Sequence, residues 1–110
     1  MATTRPESAT PTMDARKTSI VVRYTAGPDV TTEQYEETIR RLKNSGDWLP
    51  EGLDYHVAFP SNGNLRVSEI WDSREQFNAF VERLMPVLDD VGIKFSAPPE
   101  ILKVHSIAKR

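Results

Sequence analysis

The chain has 110 residues, a formal net charge of −2 and no cysteine. A chain of this length predicts one domain with a single hydrophobic core, and the lack of cysteine excludes disulfides, thiolate metal sites and a cysteine nucleophile. The slightly acidic balance offers no positive field to hold phosphates, so we expect neither nucleic acid nor an anionic membrane as a partner.

The N-terminal residues 1–17 are rich in Ala, Thr, Ser and Pro and contain almost no large apolar side chain. Such a segment cannot offset its ordering entropy by burial, so we predict a flexible tail over residues 1–17 and a folded domain over residues 18–110. The sequence contains neither an apolar run of membrane-spanning length nor the apolar core of a signal peptide. We therefore expect a soluble, cytoplasmic protein.

The first strand and the first helix have clear boundaries. Residues 19–25 are rich in β-branched side chains, apolar on both faces and followed by Ala-Gly-Pro, which predicts a central strand. Thr31 with Gln34 three residues later forms a capping-box pattern. A helix is therefore predicted from Thr31 to about Asn44.

The dipeptide Asn62-Gly63 lies between two strand patterns and favours a two-residue type I′ hairpin turn. With that turn, His56 lies directly opposite Glu69 on the neighbouring strand. A three-residue loop with a bulge would shift the pairing by one residue.

The second strand of this hairpin, residues 65–71, passes into a helix at Ser73, which forms a capping-box pattern with Gln76. Pro86 predicts a kink or an interruption near residues 83–85, and Gly92 ends the helix. The last strand is predicted over residues 101–108. The helix carries one apolar stripe: Phe77, Phe80, Val81, Leu84, Met85 and Leu88.

The resulting order, β-α-β-β-α-β, is that of the ferredoxin-like α+β fold, with two helices on one face of a four-stranded antiparallel sheet. The strands are apolar on both sides, so the face without helices requires a partner. We expect a twofold homodimer packed sheet on sheet. The pattern does not decide whether His56 and Glu69 lie on the helix-covered face or on the dimer face.

A histidine oriented by a carboxylate is a candidate general base, because its ordinary pKa lies near neutral pH. His56 and Glu69 form such a pair, with Trp71 diagonal to His56 on the same face. The alternative is a polar cross-strand pair that only satisfies itself within the fold.

Three further residues are candidates for binding a substrate. If the helices cover the face of His56, Phe80 and Met85 wall any cavity there; otherwise they are core residues. His105, on the predicted last strand, is the only other histidine and is either structural or a second substrate contact. No ligand cluster with metal spacing is visible, so we expect no metal and no cofactor.

Several segments resemble small actinobacterial proteins of the dimeric α+β barrel superfamily, which are similar to antibiotic biosynthesis monooxygenase domains. The segments are Thr-Thr-Glu-Gln-Tyr at 31–35, Gly-Leu-Asp-Tyr-His-Val at 52–57, Val-Ser-Glu-Ile-Trp-Asp-Ser at 67–73 and Pro-Pro-Glu at 98–100. Proteins of this superfamily oxidise polycyclic aromatic compounds without metal or flavin, isomerise lactones, cyclise polyketides, degrade haem or dehydrate aldoximes. Monooxygenase domains often have a histidine near the position of Phe80, and this helix has none.

The resemblance and the residues together suggest a cofactor-independent, monooxygenase-like enzyme that acts on a small apolar or aromatic metabolite. In this hypothesis His56 is the acid/base, Glu69 orients it, and Trp71, Phe80 and Met85 shape the cavity. Two alternatives remain open. One is a cyclase or isomerase of the same superfamily, which needs only proton shuttling, and the other is a non-catalytic dimer that binds a ligand or a protein.

Overall fold

The computed structural model describes residues 18–110, so the predicted tail at residues 1–17 lies outside the described residues. This part of the chain forms a four-stranded sheet and two helices in the predicted order. The elements are β1 (Ile20–Thr25), α1 (Thr32–Asn44), β2 (Leu53–Ser61), β3 (Asn64–Trp71), α2 (Arg74–Val91) and β4 (Glu100–Lys103). No helix among them is long and apolar enough to cross a membrane.

The sheet has the strand order β2-β3-β1-β4, and every neighbouring pair is antiparallel. β1 is therefore a central strand, as its apolar faces predicted. The order and the directions are those of the ferredoxin-like α+β fold, so the predicted fold class is confirmed.

The β2–β3 hairpin turns through Asn62 and Gly63, whose φ angles are 54° and 83°. Positive φ at both central residues is the requirement of a type I′ turn. The pairing that follows places His56 opposite Glu69, as predicted. A bulge occurs only at the far end of the hairpin, between Leu53 and Tyr55.

Both helices begin at the predicted caps. The Thr31 hydroxyl accepts from the Gln34 amide and the Gln34 side chain accepts from the Thr31 amide, which completes the capping box of α1. At α2 the Ser73 hydroxyl accepts from the Gln76 amide, but it also donates to the Gln76 side chain at 3.0 Å. In the capping box of α2 the Gln76 side chain therefore accepts from the Ser73 hydroxyl instead of the Ser73 amide.

The helix α2 continues through Pro86, so of the predicted kink or interruption the interruption does not occur. Pro86 and Glu82 are both exposed, and the Glu82 carbonyl that loses an intrahelical donor can therefore reach water. The helix ends at Gly92 as predicted, with a left-handed φ of 92°.

The strand β4 ends at Lys103, five residues before the predicted end at residue 108. Its pairing with β1 runs from Arg23↔Glu100 to Ile20↔Lys103, where β1 itself begins. Beyond that point one backbone hydrogen bond follows, from the Val104 amide to the Ser19 carbonyl at 3.2 Å, and the strand then ends. His105 consequently lies past the sheet and is exposed.

The helices pack on one face of the sheet over an apolar core formed by Ile20, Val22, Leu42, Trp71, Phe77 and Phe80. The opposite face points away from both helices. We call it the open face; it carries Val21, Tyr55, Val57, Phe59, Ile70 and Leu102. Tyr55 is 53% exposed and Leu102 is 44% exposed.

Candidate active site

A cavity of about 50 Å³ lies between the sheet and the helices, and both His56 and Glu69 line it. The pair therefore lies on the helix-covered face. The sequence alone did not decide between this face and the other one. Small-molecule sites usually measure about 300–1,000 Å³, so a ligand of more than a few atoms requires wall side chains to move outward. The apolar part of the wall includes Val30, Ile39, Leu42, Leu65, Phe80 and Leu84.

His56 is held at both ring nitrogens. Nδ1 lies 2.6 Å from Oε2 of Glu69, and Nε2 lies 2.8 Å from the hydroxyl of Tyr35. The His56 side chain is 10% exposed and that of Glu69 only 2%. The imidazole is thus a buried link between a carboxylate and a phenol.

Glu69 accepts hydrogen bonds from three different side chains. Trp71 Nε1 donates to Oε1 at 2.9 Å, and Tyr24 donates to Oε2 at 3.1 Å, where His56 Nδ1 also binds. A carboxylate offers only acceptors, so Nδ1 of His56 carries the hydrogen. Nε2 then has a free electron pair and accepts the hydrogen bond from Tyr35.

Two aromatic rings fix the position of the imidazole. The Trp48 ring meets it edge-on at 5.0 Å between centroids, and the Tyr35 ring lies nearly parallel to it at 6.1 Å. These contacts leave the ring of His56 little freedom to rotate away from Glu69.

Burial raises the pKa of Tyr24 well above its ordinary value of 10.0, and the charge of Glu69 raises it further. Burial, followed by the charge of Glu69, also raises the pKa of Tyr35. Both side chains therefore stay protonated at neutral pH and can donate the hydrogen bonds described above.

We expect the free energy of unfolding to fall as the pH rises above about 10, where tyrosine ionises in the unfolded chain. Tyr24 has a raised pKa in the folded state, so the unfolded state loses its proton first and is favoured in that range. Tyr24→Phe should flatten this fall, as measured by urea unfolding across the alkaline range. An equal slope in the variant and the wild type would contradict the assignment to Tyr24.

The structure brings Phe80 to the cavity with His56 and Glu69, but it places Trp71 elsewhere. Trp71 is completely buried beneath the cavity and packs against Phe77 and Phe80 at 5.6 Å between ring centroids. It does not line the cavity. The expectation that Trp71 shapes the cavity is therefore corrected: it holds Glu69 from below.

Met85 and His105 also lie away from the cavity. Met85 is 43% exposed, because Leu84 and Leu88 take the inward positions of α2 on this stretch. The expectation that Met85 walls the cavity is corrected for that reason. His105 lies beyond the end of β4 and is exposed, so the predicted strand position that would have aimed it at a ligand does not exist.

The sequence analysis missed Tyr24, Tyr35 and Trp48 as members of the site. The two tyrosines sit in apolar patterns that indicate core positions, and Trp48 lies in a connector without periodicity. The pairing of Val22 with Glu69 places Tyr24 two residues along the same face. That pairing joins strands far apart in the chain, so no local signal predicts it.

The cavity wall carries a negative side chain without a positive side chain to balance it among the described residues. Among the described residues that line the cavity, none is Lys or Arg, and Glu69 is the only acidic side chain. Residues 18–110 also contain no group of three or more His, Cys, Asp or Glu side chains placed to hold a metal ion. The wall therefore suits a neutral ligand better than an anion.

No family model and no curated protein matches the sequence, whereas solved structures do match the fold. The protein YjcS aligns with a TM-score of 0.57 and 13% identity over 79% of this chain and 99% of its own. SnoaB, a cofactor-independent oxygenase from Streptomyces nogalater, aligns with a TM-score of 0.55 and 10% identity over 84% and 96%. This chain has the α+β fold of these proteins.

A third similar structure is an antibiotic biosynthesis monooxygenase-like protein from Chloroflexus aurantiacus. It aligns with a TM-score of 0.52 and 13% identity over 82% of this chain and 95% of its own. Identities this low establish the shared fold and nothing about the reaction.

Proposed function

We propose that this protein is a cofactor-independent, monooxygenase-like enzyme that removes a proton from a small, neutral, apolar or aromatic metabolite. His56 is the base and Glu69 holds it. The observation that carries the proposal is the buried imidazole between the Glu69 carboxylate at 2.6 Å and the Tyr35 hydroxyl at 2.8 Å, at the wall of an otherwise apolar cavity. The fold that the chain shares with SnoaB, described as a cofactor-independent oxygenase, adds support.

Glu69 assists His56 electrostatically. When His56 gains a proton it becomes an imidazolium, and the carboxylate of Glu69 stabilises that cation in surroundings where few water dipoles screen the attraction. A neutral substrate loses its proton beside this imidazolium and gains the negative charge there. A substrate that is already anionic would instead meet Glu69 without a compensating Lys or Arg among the described lining residues.

Oxygenation follows if the deprotonated substrate is electron-rich enough to reduce O₂. A carbanion at a CH₂ group adds O₂ to form a peroxide, which takes back a proton and loses water to leave a C=O group. The CH₂ group and O₂ thus become a carbonyl and water. An isomerase or cyclase of the same design returns the proton to a different atom and consumes no O₂.

The test is to screen small phenols and enolisable aromatic ketones by measuring both substrate loss and O₂ uptake. We expect His56→Ala to reduce turnover by about 10²–10⁴-fold, the usual contribution of a general base. His105→Ala, at the exposed histidine, is the matched control and should keep wild-type turnover. Turnover without O₂ uptake would exclude the oxygenase and support the isomerase or cyclase.

A non-catalytic dimer that binds a ligand or a protein is the second candidate, and it is favoured by the hydrogen bonds that already occupy both ring nitrogens of His56. In that case His56→Ala changes the affinity for a bound compound by only a few-fold, and no compound is turned over by the wild type. Loss of turnover with binding intact would exclude this candidate.

The homodimer is part of the same proposal, because one row of the open face is apolar across all four strands, from Tyr55 through Ile70 and Val21 to Leu102, and a second copy can cover such a row. Ile70 lies within this row, paired with Val21 on one side and Tyr55 on the other. We expect the wild type to be a dimer by light scattering and Ile70→Asp to be a monomer, because the second copy would have to bury a carboxylate within this apolar row. Asn78→Asp, on the exposed side of α2, adds the same charge and should stay dimeric.

A wild type that is monomeric at micromolar concentration would contradict the dimer. The same holds if Ile70→Asp associates as strongly as Asn78→Asp. Neither result would bear on the cavity, which lies on the opposite face of the sheet.

A further inference from the structure

The imidazole of His56 has no free nitrogen with which to meet a substrate. Nδ1 donates to Glu69 and Nε2 accepts from the Tyr35 hydroxyl. The Trp48 ring also stands perpendicular to the imidazole at 5.0 Å between centroids. A base whose two nitrogens already have hydrogen-bond partners can receive the substrate's proton in two ways. The proton comes through one of those partners, or it comes directly after that partner has moved away.

Tyr35 is the neighbour that can make the contact. It lines the cavity, it comes from α1 instead of the sheet, and it is more exposed than Glu69. Its hydroxyl oxygen donates one hydrogen bond to His56 and keeps electron pairs that can accept a hydrogen from a ligand. Glu69, His56 and Tyr35 thus form a hydrogen-bonded chain whose last member faces the cavity.

We propose that Tyr35 is the catalytic residue that meets the substrate, and that it relays the substrate's proton to His56. This inference rests on the proposed function. The substrate C–H or O–H bond breaks and its proton joins the Tyr35 oxygen, while the original Tyr35 proton moves to Nε2 of His56. The electron pair of the broken bond stays on the substrate, and Tyr35 ends the step as neutral as it began.

The relay agrees with the electrostatics of the site. Burial and the charge of Glu69 raise the pKa of Tyr35, which disfavours a free phenolate. A concerted relay never requires that phenolate, because one proton arrives as the other leaves. The positive charge forms on His56, where Glu69 lies 2.6 Å away to stabilise it.

The same geometry defines the class of substrate as a compact, neutral carbon acid or phenol. The substrate must bring its acidic hydrogen to the Tyr35 oxygen and place an apolar body against side chains such as Ile39, Leu84 and Phe80. Carboxylates and phosphates do not fit, because their negative charge would lie near Glu69. None of the described residues that line the cavity is a Lys or Arg that could balance it.

Nitroethane is a suitable probe, since it is small, neutral and acidic at its CH₂ group. The experiment follows deuterium entering that CH₂ group from D₂O by proton NMR, with the full-length protein. We expect Tyr35→Phe and His56→Ala each to slow the catalysed exchange at least about 100-fold. Tyr24→Phe is the matched control: Tyr24 also lines the cavity, and the variant also removes one hydroxyl bound to this cluster, but that hydroxyl hydrogen-bonds to Glu69 and not to His56.

Tyr24→Phe should slow the exchange by less than about tenfold, the effect of losing one of several hydrogen bonds. Glu69 keeps its bonds to Trp71 and His56 in that variant. A loss at Tyr24 as large as that at Tyr35 would mean that both tyrosines act only by holding the cluster, and would overturn the relay.

The remaining outcomes separate the relay from the function on which it rests. Wild-type exchange in Tyr35→Phe, together with its loss in His56→Ala, would overturn the relay and leave His56 as a base that meets the substrate directly. No exchange above buffer in the wild type, or equal exchange in every variant, would overturn both.

A second measurement does not depend on turnover. The ¹⁵N resonance of His56 Nε2 should shift in Tyr35→Phe, because its hydrogen-bond donor is gone, while Nδ1 stays protonated against Glu69. Backbone amide spectra check that the variant is folded. An unchanged Nε2 resonance would show that the bond from Tyr35 is absent in solution, and would overturn the relay.

Discussion

Glu69→Ala is expected to lower the free energy of unfolding by about 3–5 kcal/mol, the usual effect of breaking a buried charged pair. The substitution removes the acceptor shared by His56, Tyr24 and Trp71. All three donors would then be buried without a partner, and each loses the desolvation free energy that its hydrogen bond had offset. Domains of this kind are stable by about 5–15 kcal/mol, so the variant should be near its stability threshold.

Urea unfolding of Glu69→Ala and of Glu82→Ala provides the comparison. Glu82 lies on the exposed side of α2, where removal of a carboxylate should change the free energy of unfolding by no more than about 0.5 kcal/mol. If the two variants were equally stable, the bonds to Glu69 would add nothing to folding.

Glu69→Gln should separate the stability of the fold from the chemistry of the site. The amide oxygen can still accept from Trp71, while the amide NH₂ group donates to Nδ1 of His56 and to the Tyr24 oxygen. The imidazole then carries its hydrogen on Nε2 and can no longer accept a proton from Tyr35. We therefore expect a folded variant that has lost proton transfer, with the reversed tautomer visible in the ¹⁵N spectrum.

The part of the site that the sequence predicts is the part formed by one hairpin. Asn62-Gly63 favours a single turn geometry, and that geometry determines that His56 faces Glu69. The two residues are only 13 positions apart, so a short-range rule was sufficient. The capping residues Thr31 and Ser73 were predictable for the same reason, because each cap is a contact across three residues.

The rest of the site depends on contacts between distant segments. Tyr24 reaches Glu69 through the pairing of β1 with β3, and Tyr35 reaches His56 only because α1 packs over the sheet. Neither contact has a local pattern. Periodicity also predicted too many buried residues on α2. Met85 belongs to the apolar stripe of the helix, but the stripe is wider than the surface that can bury it, and Met85 is exposed.

Trp71→Ala is the second substitution with a large expected effect, about 3–5 kcal/mol of unfolding free energy. Trp71 has no exposed surface and packs against Phe77 and Phe80 in the centre of the core. Replacing it with alanine leaves a large void among side chains that cannot collapse fully, because β3 and α2 fix them on both sides. The measurement is again urea unfolding, with Trp48→Ala as the control, since Trp48 lies half-buried in a connector and should lose less.

Trp71→Phe divides that loss into its two causes. The phenyl ring keeps most of the packing against Phe77 and Phe80 but lacks the N–H group that donates to Oε1 of Glu69 at 2.9 Å. Glu69 retains its bonds from His56 and Tyr24 at the other oxygen, so we expect a loss of about 1–3 kcal/mol and a smaller effect on the site than Glu69→Gln. A loss in Trp71→Phe as large as in Trp71→Ala would mean that the bond to Glu69, and not the packing, is what Trp71 contributes.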